Sequence, residues 1–299
     1  MPVRDTAETV SQRIPAILAV DDAALHLIDL ALTEDRGAGD WTTRWTVPAR
    51  IKVQGQIVAK AEGVIAGVAL AAAVFLRLDP RVDFEVIAGD GQPVGPGDTA
   101  VRIAGPGRAI LTGERVALNF LQHLSGVATA TRQFVNAIAG TDARILDTRK
   151  TTPGWRALEK AAVRAGGGEN HRAGLYDMVL IKENHAAIAG GIAEAVRRVR
   201  DQNSRDLPIV VEIHSLEDLE EAVDAGVERL LLDNLDTATM TAMANRVRNL
   251  RQRPMLEASG NMTLERVREV AEAGVDFISV GALTHSAPAL DLSLRIERQ

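Results

Sequence analysis

Residues 208–234 read PIVVEIHSLEDLEEAVDAGVERLLLDN. Two short apolar runs, PIVVEI (208–213) and RLLLD (229–233), flank a helical stretch near 215–225, and Gly226 sits where a helix C-cap belongs. The same unit recurs on either side. RILD (144–147), MVLIK (178–182), MLEAS (255–259) and FISVG (277–281) are the other runs; further helical stretches lie near 156–165, 185–202, 236–251 and 263–273, with Gly274 at a second C-cap. Repeated strand–helix units at this spacing predict a parallel sheet. Its strands are apolar throughout because both faces are covered. Six runs without a dinucleotide-type glycine fingerprint predict an α/β barrel rather than an open sheet.

Towards the N-terminus the texture is mixed α and β. Residues 20–36 place Leu25, Ile28 and Leu32 at helical spacing, and the polar, glycine-bearing loop EDRGAGDWTT (34–43) follows. A strand over 50–59, a helix near 67–78 and strands near 82–88 and 98–104 come next, between turns such as VGPGD and AGPG. A long helical pattern from Arg108 to Ile138 leads into the repeated units, with Ser125-Gly126 as a candidate break.

The 299 residues suggest two domains at roughly 150 residues each. No cysteine is present, which excludes disulfides, thiolate metal sites and a cysteine nucleophile and suits a reducing compartment. The longest apolar stretch, Val64–Leu76, falls short of the roughly 20 residues of a membrane helix. The apolar run Ile14–Val20 is followed by Asp21 and Asp22 and has neither a basic start nor a small-residue cleavage site, so no signal peptide is expected. A net charge of −6 argues against binding nucleic acid through a general basic surface. Any basic cluster must therefore have a local cause.

That cluster lies at the strand ends. The runs end in Asp147 followed by Thr148-Arg149-Lys150, in Lys182-Glu183-Asn184-His185, in Glu212 with His214, in Asp233-Asn234, in Glu257 with Ser259-Gly260-Asn261, and in Gly281 with Thr284-His285. The opposite ends are plain: Ala143, Asp177, Pro208, Arg229 and Asp276. An acidic residue after a strand is also what a helix N-cap asks for. Charges of both signs on consecutive strand ends are better explained by the C-terminal rim of a barrel, where catalytic groups gather. Arg149, Lys150, His171, Arg172 and Lys182 form a cationic set suited to a small polyanion, arginine gripping planar carboxylates in a fork and lysine acting as a point charge. Glu212 and Asp233 either hold Mg²⁺ through water or hydrogen-bond sugar hydroxyls. Ser259-Gly260-Asn261 and Val280-Gly281-Ala282 stand where barrel loops bind phosphate through backbone N–H groups. Gly166-Gly167-Gly168, leading into Glu169-Asn170-His171-Arg172, is read as a mobile segment that closes over substrate. His26, His123 and His185 are read as helix-surface, core-edge or capping residues, and the six histidines lack metal-ligand spacing.

Several segments carry a closer resemblance: LTEDRGAGDWTT (32–43), GERVALNFLQHLSGVATAT (113–131), LDTRKTTPGWRALEKAAVRAGGGENHRAGLYDMVLIKENH (146–185), LLLDN (230–234), EASGNM (257–262) and SVGALTHSAPALDLSL (279–294). In these the chain resembles the quinolinate phosphoribosyltransferases nearly end to end. The resemblance implies an N-terminal α/β sandwich domain, residues 1–114 with the returning tail 286–299, and an incomplete, seven-stranded α/β barrel over 115–285. It implies a Mg²⁺-dependent, cytoplasmic homodimer that makes nicotinate mononucleotide, CO₂ and pyrophosphate from quinolinate and phosphoribosyl pyrophosphate. By motif, Arg149, His171, Arg172 and Lys182 would contact the quinolinate carboxylates and Arg115 would reach in from the partner subunit. Lys150 would neutralise phosphate or pyrophosphate beside Thr148, and Glu212 and Asp233 would serve ribose and magnesium. Ser259, Gly260, Asn261, Val280, Gly281, Ala282 and His285 would hold the 5′-phosphate. Lys150, Lys182, Glu212 and Asp233 would be the catalytic set.

Two departures bear on the number of magnesium ions. The family often shows EVEV where this chain has Val210-Val211-Glu212-Ile213, so Glu212 is kept and the earlier acid is missing; His214-Ser215 replaces a frequent acidic pair. Three rival readings stay open: a related phosphoribosyltransferase that takes nicotinate or another small acid without decarboxylation, a Schiff-base aldolase using Lys182, and a non-catalytic anion-binding protein.

Overall fold

The computed structural model describes residues 20–298. Residues 14–19 of the first apolar run, and with them the expectation about a signal peptide, lie outside the described residues. In chain order the elements are α1 (Asp22–Arg36), α2 (Trp41–Thr46), β1 (Lys52–Ala59), β2 (Gly63–Val64), α3 (Val68–Leu78), β3 (Asp83–Val86), β4 (Pro93–Val94), β5 (Thr99–Pro106), α4 (Gly107–Ala137), β6 (Arg144–Leu146), α5 (Arg156–Gly166), β7 (Val179–Ile181), α6 (Glu183–Ala189), α7 (Ile192–Gln202), β8 (Ile209–Ile213), α8 (Leu216–Asp224), β9 (Arg229–Asp233), α9 (Thr237–Val247), β10 (Met255–Ser259), α10 (Val267–Glu272), β11 (Phe277–Ser279), α11 (Ala282–His285) and β12 (Leu292–Arg298). No helix among the described residues is long and apolar enough to cross a membrane.

Two compact units result. The first holds residues 20–130, Arg164–Gly166 and the tail from Ala287. Its sheet runs β12-β1-β5-β3, antiparallel throughout. Ile57 of β1 lies between Leu294 and Val101, and Ile57, Val101, Ile103 and Phe75 of α3 are buried. Each such side chain contributes about 1.5–3 kcal/mol by leaving water. The tail strand β12 is therefore an edge strand of the first unit's sheet.

Ser125 and Gly126 do not break α4. Ser125 Oγ accepts the Ala66 backbone N–H at 3.0 Å and Thr129 Oγ1 accepts that of Val64 at 2.9 Å. A Cβ on Gly126 would run into the Pro288 carbonyl oxygen. The pair marks a docking face along the helix, which its composition alone disguises as a break. The segment 34–43, polar and glycine-bearing, reads as a loop in the sequence. It ends in α2, because the Asp40 carboxylate caps the helix by accepting the Thr43 N–H at 2.9 Å.

The second unit, Thr131–Val163 with Gly167–Ser286, holds a six-stranded parallel sheet in the order β6-β11-β10-β9-β8-β7. All six runs read from the sequence are strands. The implied seventh is a single parallel bridge, Leu146 with Glu169, outside β6. That bridge and β7 are the two open edges, so the barrel does not close. Val210, Ile213, Leu230, Leu232, Leu256 and Ile278 are fully buried, as expected where both faces are covered. The helix expected over 185–202 is two helices, α6 and α7. They are separated by Gly190 and Gly191, whose φ values of 102° and 126° no helix accommodates.

Gly166–Gly168 is no free lid. The Gly168 N–H donates to the Val163 carbonyl at 3.0 Å, and a Cβ there would press on Thr131 and Val163 at under 3 Å. The next residue, Glu169, donates its N–H to Ile145 at 2.8 Å. The glycines let the end of α5 turn tightly into the seventh-strand bridge.

Candidate active site

Side chains in strands alternate between faces, and register decides which ones share a face. Glu212 pairs with Leu231, Leu231 with Glu257, Glu257 with Phe277, and Asp233 with Ser259. Two residues along a strand return to the same face. Glu212, Asp233, Glu257, Ser259 and Ser279 therefore stand on one face, most of them at its C-terminal end. Lys182 follows Ile181, which pairs with Val211, and its Nζ lies 3.4 Å from Glu212 Oε2. His214 Nε2 approaches the other oxygen, Oε1, at 3.4 Å. Glu212 thus sits between two basic side chains.

Asp147, at the end of β6, is buried, as is Lys160 on α5. Lys160 Nζ lies 2.5 Å from Asp147 Oδ1 and also donates to the His171 carbonyl at 2.8 Å. Asp147 further accepts the His171 N–H at 2.8 Å and Asn170 Nδ2 at 2.6 Å. Burial pushes the Asp147 carboxyl up, against the pull of Lys160 and these donors. One buried ion pair thereby anchors the whole segment that carries His171 and Arg172. Arg156 ties the same segment to the Arg149 loop, donating to Thr151 Oγ1 at 3.0 Å, to the Ala173 carbonyl at 3.0 Å and to the Arg149 carbonyl at 3.4 Å. Asp177 closes the turn by accepting the N–H groups of Ala173 at 2.6 Å and Gly174 at 2.9 Å.

The two arginines so held face each other electrostatically. Burial holds the Arg172 guanidinium below its ordinary value, and neighbouring Arg149 pushes it the same way, with Asp177 pushing back. Arg149 Nε is buried and has no hydrogen-bond partner among the described residues. A buried, unmatched donor beside a like charge is costly unless an anion arrives.

His171 does not belong to the free cationic set. Its Nδ1 accepts the Arg172 backbone N–H at 2.7 Å and its Nε2 lies 3.2 Å from Glu257 Oε1, so both ring nitrogens are committed within the protein. A sequence shows a histidine but not which of its nitrogens are engaged.

On the far side of the rim, Lys150, Gly281 and His285 converge. A Cβ on Gly281 would lie 3.2 Å from Lys150 Cδ and 3.1 Å from His285 Nε2. Thr284 Oγ1 donates to the Lys150 carbonyl at 2.7 Å, and the Lys150 N–H donates to Thr148 Oγ1 at 3.1 Å. Between these loops Asn234 and Asn261 adopt left-handed φ values of 54° and 49°. Asn234 donates its N–H to the Ser259 carbonyl at 2.9 Å and its Nδ2–H to Asp233 Oδ2 at 2.7 Å, knitting the ends of β9 and β10 together. Such backbone in non-glycine residues concentrates at functional sites. Asn234 was not among the expected site residues, although its place after Asp233 was the available signal. Arg115 is exposed on α4 in the first unit.

No group of three or more potential ligands clusters among the described residues. Glu212 and Asp233 stand on one face of the sheet, a donor set of the kind that Mg²⁺ takes together with waters and substrate oxygens.

The family model described as quinolinate phosphoribosyl transferase, C-terminal domain, matches residues 127–295, and that of the N-terminal domain matches residues 40–125. The chain belongs to the quinolinate phosphoribosyltransferase family. A protein of Synechocystis sp. named a probable nicotinate-nucleotide pyrophosphorylase (carboxylating) is 47% identical over 267 residues, covering 89% of this chain and 90% of that protein. A chloroplastic nicotinate-nucleotide pyrophosphorylase (carboxylating) of Arabidopsis thaliana is 42% identical, covering 91% of this chain and 82% of that one. Among solved structures, the nicotinate-nucleotide pyrophosphorylase from Francisella tularensis superposes with a TM-score of 0.88 at 38% identity, covering 92% and 96% of the two chains.

Within this family's site, Gly260 is the position least able to change. Its φ is 92°, and a Cβ would run into Asn234 Oδ1 and crowd the Asn234 backbone nitrogen. Gly260→Ala is expected to cost about 1–3 kcal/mol through forced backbone strain, read as a lower denaturant midpoint. An unchanged midpoint would mean that the β9 and β10 loops are not locked together.

Proposed function

We propose that this enzyme joins quinolinate to phosphoribosyl pyrophosphate, releasing pyrophosphate and CO₂ and leaving nicotinate mononucleotide. The observation that carries the reading is the pair Arg149 and Arg172: Arg149 Nε is buried with no hydrogen-bond partner among the described residues, and its charge bears on the partly buried Arg172 guanidinium. They suit one planar ligand with two carboxylates, and Lys182 at the end of β7, paired with Glu212 at 3.4 Å, supplies a third cation on the rim. The non-decarboxylating rival asks for fewer cations. The aldolase reading asks for a desolvated lysine, whereas Lys182 is half-exposed and beside a carboxylate.

The pyridine nitrogen attacks ribose C1 as pyrophosphate leaves, through a transition state of oxocarbenium character. The protein's work is to hold nucleophile and carbon in line and to put positive charge where the leaving group becomes negative. Arg149 and Arg172 orient the ring; Lys150 meets the growing charge. Glu212 and Asp233 would hold the ribose hydroxyls and Mg²⁺, which when bound would help neutralise the pyrophosphate. Ser259, Gly260, Asn261, Gly281, Ala282 and His285 line the 5′-phosphate end. Once the ring nitrogen is quaternised it stabilises the carbanion left by CO₂, which then takes a proton from solvent at that carbon, so no organic cofactor is needed.

A homodimer belongs to the proposal, with Arg115 of one copy reaching the rim of the other. Exposed Trp41 and Trp45, whose rings lie 5.5 Å apart in the first unit, are apolar surface of the kind a partner copy covers. A chain without cysteine suits the cytoplasm. Incubation with quinolinate, phosphoribosyl pyrophosphate and Mg²⁺ is expected to yield nicotinate mononucleotide by mass analysis, with CO₂ released in equal amount. The yield should vanish with a chelator and return with Mg²⁺. Product without CO₂, or undiminished turnover without metal, would sink the corresponding part.

A further inference from the structure

Under the rim runs a row of buried polar groups that the reaction does not touch. Glu257 is fully buried and meets three partners. Its Oε2 accepts Arg229 Nε–H at 2.9 Å; its Oε1 accepts Ser279 Oγ–H at 2.5 Å and lies 3.2 Å from His171 Nε2. The other ring nitrogen of His171 accepts the backbone N–H of Arg172 at 2.7 Å. A ring nitrogen that accepts carries no proton, so the proton of the neutral ring is on Nε2, facing Glu257.

We propose that Glu257 is a positioning residue for quinolinate recognition: it fixes the His171 tautomer, and through it the backbone from which the Arg172 guanidinium reaches the ligand. The ligand's identity rests on the function proposed above; the chain of contacts does not. The bland alternative is that Glu257 merely neutralises Arg229, whose guanidinium lies 4.2 Å over the Phe277 ring. Burial alone would push the Glu257 carboxyl up, but the hydrogen bonds from His171 and Ser279 and the charge of Arg229 outweigh it and hold it below its ordinary value. An ionised carboxylate accepts on both oxygens with no proton occupying either, and so serves Arg229 and His171 together.

Glu257→Gln separates the two accounts. Arg229 claims the one remaining oxygen, because its donor is charged. The amide N–H₂ then faces His171 and drives the ring proton to Nδ1, where it opposes the Arg172 N–H. Three results are expected. Nitrogen NMR shows His171 as the Nε2–H tautomer in the wild type and not in the variant. Exchange of the Arg172 amide proton speeds up in the variant. The Kd for quinolinate, measured by calorimetry without the sugar donor, rises about tenfold, the worth of one well-placed hydrogen bond, while the Kd for the sugar donor stays within about twofold. In a His171→Ala background, Glu257→Gln should leave the quinolinate Kd unchanged. An Nδ1–H tautomer in the wild type, an Arg172 amide still protected in the variant, or equal weakening for both ligands overturns the proposal. The wild-type tautomer needs no variant, so a poorly folding variant cannot shield it. The first two readouts are independent of turnover: a protein that passes them yet makes no product sinks the function and not this inference.

Discussion

Lys150→Ala is expected to lower kcat by about 10²- to 10³-fold, the usual effect of removing one donor aimed at developing charge. The backbone of Lys150 is held from both sides, by Thr284 Oγ1 on its carbonyl at 2.7 Å and by Thr148 Oγ1 under its N–H at 3.1 Å. Neither hold involves the side chain, which is exposed and converges with His285 over Gly281. Truncation therefore removes a charge and leaves the loop where it is. The unfolding midpoint should stay put while steady-state turnover collapses. Lys150→Arg keeps the charge in a bulkier, planar form and should recover part of the loss. A kcat for Lys150→Ala within about threefold of wild type would show that the leaving-group charge is met elsewhere, since one mispositioned cation accounts for no such tolerance.

How far the sequence reveals this site depends on which physical signal each residue leaves. Strand runs such as PIVVEI and RLLLD are apolar because the sheet is covered on both faces, and all six runs are strands. The rim residues Arg149, Lys150, Lys182, Glu212 and Asp233 follow from direction alone, since parallel strands send their C-terminal ends to one side. The seventh strand leaves no run to find, being a single bridge at Glu169. Gly190-Gly191 hides a helix break inside a stretch whose flanks are both helical. The support beneath the rim is harder still. Asp147 and Glu257 stand out as strand-end acids, but what they hold depends on contacts across the fold. Lys160 leaves one faint mark: it shares a helical face with buried Val163, three residues on, where a lysine needs a partner. Arg156, one turn earlier, reads as an ordinary helix-start residue until its three hydrogen bonds are seen.

Lys160→Met carries the largest expected effect on stability. The side chain is 6% exposed and its partner Asp147 0%. Replacing the ammonium by a thioether of similar length keeps the volume and strands a buried carboxylate, which typically costs about 3–5 kcal/mol. The two remaining donors to Asp147, from Asn170 and His171, soften that loss without cancelling the charge. A domain of this size loses roughly 2–4 °C per kcal/mol, so the thermal midpoint should fall on the order of 10 °C. Activity suffers separately, because Lys160 also holds the His171 carbonyl and so the segment that presents Arg172. Below the new midpoint, quinolinate affinity should drop while affinity for the sugar donor changes little. Adding Asp147→Asn removes the stranded charge, and the double variant should melt above Lys160→Met alone. That ordering is the sharp test: if the double variant melts lower than the single, Asp147 contributes chiefly through its bonds to Asn170 and His171, and the ion pair is not the anchor of the loop.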